Sequence, residues 1–202
     1  MKKHFVFFVS VLSHFFSVAQ RVNISFNAAI YGKEHLLDSL VVKNEKDTLL
    51  INQLKFYISN IQFLKDDSIV FSELNSYHLI DFEMPASTSL FIKTFRSISY
   101  NSIRFYLGID SLTNVSGALG GELDPTHGMY WTWQSGYINF KMEGEASKST
   151  APSNEFQFHL GGYQQPFNSL QEVQLNVHDE NINLELNLDP FLQSLDFSHV
   201  HH

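Results

Sequence analysis

"LKFYISNIQFL", residues 54 to 64, places Leu54, Phe56 and Ile58 at every second position with polar neighbours between them. A period of two belongs to a strand, whose successive side chains leave on opposite faces. The pattern recurs along the chain. "VNISFNAAI" (22–30) puts Val22, Ile24 and Phe26 on one face, and "SIRFYLGID" (102–110) repeats the alternation. "EVQLNVHD" (172–179) and "INLELNLD" (182–189) repeat it on either side of Glu180-Asn181, which reads as the turn of a hairpin. Turn signals separate the runs: "KDD" at 65–67, "GALGGELDPTHG" at 117–128 and "GGYQQP" at 161–166. Helical periodicity is scarce. "DPFLQSLDF" (189–197) is the best candidate, with Asp189 as N-cap and Pro190 at the first helical position. Many short strands with regular turns predict an all-β chain, an antiparallel β-sandwich or jelly-roll-like single domain over residues 20–202.

The chain opens "MKKHFVFFVSVLSHFFSVAQ". A basic start at Lys2 and Lys3, an apolar run and the small-x-small step Ser17-Val18-Ala19 make residues 1–19 a signal peptide cut after Ala19. The run is too short for a membrane span and is interrupted by His14. An uncleaved tether is the alternative. The expected location is exported, periplasmic or extracellular. Cleavage removes two lysines and no acid, taking the formal charge from −8 to −10, which argues against nucleic acid or anionic lipid as a partner. The chain has no cysteine, so it carries no disulfide and no disulfide-linked partner, and any metal must sit on His, carboxylate, Met or a less usual ligand. There is no Gly-x-Ser-x-Gly elbow and no phosphate loop, and nothing places a base beside Ser135. The sequence therefore reads as a binding protein rather than an enzyme.

"GMYWTWQSGYINFKMEG" (128–144) holds both tryptophans of the chain, Trp131 and Trp133. Read as one strand, it stands the two indoles side by side, with Tyr130 and Thr132 on the other face. Such a pair serves as sheet core, as a stacking platform for sugar rings, or as a redox-active or metal-adjacent site, and the spacing does not separate these. Asp124 reads as a turn residue and Glu143 as the exit of the strand before Gly144. Among the histidines, His4 and His14 leave with the signal, His35 is a solvated loop residue, His78 a hydrogen-bonded strand residue, and His178 incidental. His159 differs. "EFQFHLGG" sets it at a strand end before Gly161-Gly162, on the face of Glu155 and Gln157 and opposite Phe156 and Phe158. A glycine pair there lets a ligand or backbone come close.

"LKFYISNIQF", "YHLIDF", "GIDSLTN", "GELDPTHGMYWTWQSGYINFKMEG" and "FQFHLGG", in this order, resemble the MbnP-like family, exported proteins associated with copper. The resemblance runs from about Val22 to the last strands. It implies a copper-binding protein in which one tryptophan of this motif is oxidised to kynurenine by a di-haem, peroxidase-like partner of the MbnH type. Copper is then held by imidazole with the kynurenine amine nearby. Carried over, Trp131 or Trp133 is the modified residue and His159 the leading ligand. Some relatives carry a histidine two residues after the modified tryptophan; Trp133 stands there instead, and His127, four residues before Trp131, is the candidate substitute. Relatives continue past "LDFSHVHH" with a Met-bearing segment and a helix, so the end reads as truncated; His199, His201 and His202 form a His-rich terminus. From another class, an exported sugar- or peptide-binding sandwich would use Trp131, Trp133 and Tyr137 as its platform.

Overall fold

The computed structural model describes residues 19–32, 37, 40–44, 47–133 and 136–199. The leader, apart from Ala19, lies outside the described residues, as do His35, Ser135, His201 and His202. The described strands are β1 (Arg21–Ala29), β2 (Leu40–Asn44), β3 (Asp47–Lys65), β4 (Ser68–Ser72), β5 (Tyr77–Asp81), β6 (Ser89–Lys93), β7 (Ser102–Leu107), β8 (Tyr130–Trp131), β9 (Gly136–Ala146), β10 (Glu155–Gly161), β11 (Gln171–Asn176) and β12 (Asn181–Asn187). Two short helices, α1 (Ser111–Val115) and α2 (Asp189–Ser194), complete the set with five 3-10 turns. No helix among the described residues is long and apolar enough to cross a membrane.

One sheet has the order β12-β1-β6 and the other β10-β9-β3-β7-β11, with β2, β4 and β5 also on β3 and β8 on β9. β3 is the trunk: Leu49–Phe56 pairs with β9 and Ile58–Leu64 with β7. The expected alternation is realised as the inter-sheet core. Val22, Ile24 and Phe26 of β1 meet Leu54, Phe56 and Ile58 of β3, all buried. Phe26 touches Phe56 and Phe105 edge-on, at 6.0 and 6.5 Å between ring centres, the geometry aromatic quadrupoles favour. The result is an all-β, mostly antiparallel sandwich.

Two local expectations are corrected. β11 and β12 are not a hairpin. β11 runs antiparallel to β7 in the large sheet, whereas β12 runs parallel to β1 in the small one, with Ile24 opposite Ile182 and Phe26 opposite Leu184. The chain crosses between sheets at buried Val177, and Glu180 O accepts from Asn23 N at 2.9 Å. Alternation reports which face of a strand is buried and is silent about which edge it joins. The second correction is Asp189. The helix N-cap is Leu188, and the Asp189 carboxylate instead accepts from Tyr31 N at 2.6 Å, tying the end of β1 to α2.

The large sheet also carries apolar side chains on its outer face. Tyr57, Leu79 and Tyr137 belong to a second buried cluster there, with Ile109, Leu123, Met129 and Ile138, and the chain from Gly108 to Trp131 folds over it. Asp110 caps α1, accepting from Thr113 N at 2.9 Å. Asn114, 1% exposed, donates to Ile109 O and Asp110 O and accepts from Tyr137 N at 2.8 Å. Tyr57 OH donates to Glu122 O at 3.0 Å, and Tyr137 OH donates to Leu123 O at 3.1 Å and accepts from Leu119 N. Two phenols standing on the sheet thus hold the overlying loop, and that loop delivers the tryptophans.

Candidate metal centre

The tryptophan segment is a short hairpin arm rather than part of a long strand. β8 holds only Tyr130 and Trp131, opposite Tyr137 and Gly136 of β9. Thr132 and Trp133 lie in the turn, and Trp133 is 77% exposed. The two indoles still stand together, with ring centres 5.9 Å apart and planes at 48°. Their adjacency comes from the turn, so the expectation of one strand bearing both is corrected for Trp133. Tyr130 packs inward, 5.0 Å from the Tyr137 ring.

Trp131 is half-buried against the second cluster. The Cζ3 and Cη2 atoms of its six-membered ring occupy the place where a β-carbon on Gly161 would stand. The close approach expected at the glycine pair is therefore made by an indole. It brings Trp131 to the end of β10, two residues from His159 along the same strand.

His159 lies on the outward face of β10, opposite Lys141 of β9, while Phe156 and Phe158 point into the core. Its Nε2 is 2.6 Å from Glu143 Oε1, and Lys141 Nζ is 3.1 Å from the same oxygen. Glu143 is therefore not the strand's exit, because β9 continues to Ala146. The hydrogen bond from His159, with a contribution from Lys141, holds the Glu143 carboxyl below its ordinary value against the opposing effect of burial. Lys141 also reaches towards Gly128 O, at 3.5 Å, where the tryptophan arm begins. The sequence reading took Glu143 for a strand end and passed over Lys141. The signal was their parity: both are odd-numbered positions of β9, on the face opposite Phe140 and Met142.

The other histidines are held elsewhere. His127 ends the 3-10 turn Pro125–His127, is half-buried, and donates from Nε2 to Gly121 O at 3.1 Å, within its own loop. His78 bonds to Glu73 at 2.9 Å, and His178 is exposed. Asp124 accepts from Thr126 N and Oγ1 as a turn residue does. No group of three or more His, Asp or Glu side chains is assembled for a metal among the described residues.

The donor set fits copper in part. A carboxylate bonded to one ring nitrogen fixes the tautomer of an imidazole and leaves the other nitrogen's lone pair for a metal, and the Glu143–His159 pair is built that way. An indole offers an N–H donor and no ligating lone pair. Trp131 and Trp133 therefore supply no ligand until one of them is chemically changed.

The profile of the family described as MbnP matches residues 19–202. Among solved structures the chain is similar to MbnP from Methylosinus trichosporium, with 16% sequence identity and a TM-score of 0.64, covering 90% of this chain and 80% of that one. At that identity the likeness is one of fold. A search of curated proteins returned no match.

Proposed function

The chain belongs to the MbnP family, and from that premise we propose that it is an exported copper-binding protein whose site is completed by oxidation of Trp131 or Trp133 to kynurenine. The oxidation is the work of a di-haem, peroxidase-like partner of the MbnH type. In this reading the chain is that partner's substrate and catalyses nothing itself.

The observation that carries the reading is the seat of Trp131 on Gly161, two residues from an imidazole backed by a carboxylate. With two equivalents of hydrogen peroxide, the oxidant of a peroxidase-like partner, the indole C2–C3 bond breaks and each carbon takes one oxygen, with two waters released. Hydrolysis then frees the C2 carbon as formate and leaves an aryl amine, a net loss of one carbon and gain of one oxygen. The amine is the nitrogen donor that the unmodified residues lack. His159 offers its second ring nitrogen, Glu143 orients the ring, and the rigid β9–β10 pair keeps both in place. Copper, which favours imidazole where thiolate is lacking, is the metal this donor set suits.

One observation favours a second reading. The exposed indole of Trp133 beside Trp131 presents an aromatic surface, as a sugar- or peptide-binding sandwich would need.

Co-expression with and without the di-haem partner, followed by intact-mass analysis and copper titration, separates the two. We expect one tryptophan to be modified only with the partner, copper binding to tighten on modification, and His159→Ala to weaken it. Unmodified tryptophans after co-expression, with equal copper affinity in wild type and His159→Ala, would overturn the copper reading and leave the platform.

A further inference from the structure

The two sheets part at one end of the sandwich. There Leu107, Phe140, Leu160, Leu186, Leu188 and Phe191 line a cavity of about 330 Å³. That volume falls within the range of small-molecule sites, about 300 to 1,000 Å³. Its origin is visible along β10. The inward row is Phe156, Phe158, Leu160; the first two are closed off by Phe197, at 5.2 and 5.9 Å between ring centres. Leu160 lies beyond that ring and remains 45% exposed. Phe191 of α2 packs edge-on to Phe140 and Phe158, at 5.7 and 5.8 Å, and forms an aromatic wall.

The polar groups at the cavity are largely engaged. Asn139 accepts from Ile109 N at 2.9 Å and donates to Ser169 Oγ at 2.8 Å. Asn187 Oδ1 accepts from Asp189 N at 2.9 Å. Ser169 and Gln171 stand beside them, and among the described residues that line the cavity there is no Lys, Arg, His, Asp or Glu. A charged ligand would find no counter-ion there and would bear its full desolvation cost. Water fares little better, because an ordered molecule needs two to four polar partners. An apolar ring loses nothing polar on entry and gains contact with six apolar side chains.

We propose that this cavity is a binding site for a small uncharged apolar molecule, a ring system or short alkyl chain with at most one hydroxyl. It lies on the core side of β10, whereas His159 faces outward from that strand, so the proposal stands apart from the copper reading.

The test titrates the purified chain with N-phenyl-1-naphthylamine, an uncharged fluorophore, in competition with octanol and with octanoate. Saturable, blue-shifted emission displaced by octanol and not by octanoate is expected. Leu186→Trp, which fills the cavity, and Leu160→Lys, which sets a charge at an exposed position of its mouth, should each weaken the probe by about tenfold or more. Circular dichroism verifies that the variants are folded, and the mouth position keeps the test valid if the filled variant is not. No saturable emission, equal displacement by octanoate, or unchanged probe affinity in folded Leu160→Lys would overturn the proposal.

Discussion

The six-membered ring of Trp131 fills the space that a side chain at Gly161 would need, and the carbonyl oxygen of Tyr137 closes the same space from the backbone at 2.7 Å. An added methyl must therefore displace the indole and also push the Tyr137 carbonyl back, straining the β9–β10 pairing. Gly161→Ala is therefore expected to destabilise the fold by about 1–3 kcal/mol and to move Trp131 fluorescence towards the solvated value. Urea denaturation with tryptophan emission reads both. An unchanged midpoint and spectrum would show that the ring does not rest there in solution.

Asn114 is the rivet between α1 and β9. Its side chain closes three hydrogen bonds, one of them from the buried amide of Tyr137. Asn114→Ala leaves that amide unpaired, at a cost of about 1–3 kcal/mol. Because Tyr137 faces Tyr130 in the β8–β9 pair, the loss should be local before it is global. Hydrogen exchange at the Tyr137 amide should accelerate more than exchange in β3, and equal acceleration in both would count against this role.

How far the sequence speaks depends on what each residue answers to. Val22, Ile24, Phe26, Leu54, Phe56 and Ile58 answer to burial, which alternation encodes directly, and all six face the core. The turn at 65–67 was equally legible, since Asp66 and Asp67 take positive φ of 49° and 63°, a conformation Asp tolerates in tight hairpins. The parallel placement of β12 was not legible, because Ile182 and Leu184 satisfy the same alternation whichever edge they join. At the candidate site, the glycine pair signalled a close approach and the tryptophans signalled aromatic packing, but nothing local stated that one filled the other. Glu143 was misread because Gly144 looked like an end. In the fold it is a point of close backbone passage inside β9, where a β-carbon would run into the Leu50 carbonyl.

The Glu73–His78 pair makes stability depend on pH. Burial alone would raise the Glu73 carboxyl, but the hydrogen bond and charge of His78 outweigh it, and the group titrates below its usual 4.5. A depressed carboxylate stabilises the fold fully above its unfolded pKa and loses that contribution as pH falls through the folded value. Both side chains are partly exposed, at 28% and 22%, so solvent screening holds the gain to about 1 kcal/mol or less. Glu73→Gln should therefore be less stable than wild type at neutral pH, with the difference shrinking below about pH 4.5. Thermal denaturation across that range tests the sign. A gap that widens on acidification would contradict it.

The two tryptophans differ more than their adjacency suggests, and single-tryptophan variants can show it. Trp133 stands in a turn, 77% exposed, with its neighbour's ring as its one aromatic contact among the described residues. Trp131 fills the hollow over Gly161 and packs on the cluster around Tyr57 and Tyr137. Removing indole surface from a site of the first kind costs little, within about 0.5 kcal/mol. Shrinking a ring that fills a shaped hollow forfeits its contacts and leaves a void, so Trp131→Phe should cost about 1–3 kcal/mol. Acrylamide quenching gives an independent reading. In Trp133→Phe the remaining indole should be shielded and its emission blue-shifted; in Trp131→Phe it should be quenched almost as freely as a small indole in water. Equal quenching in the two variants would mean that the Trp131 ring leaves Gly161 in solution, and the seat on which the copper reading rests would be lost with it.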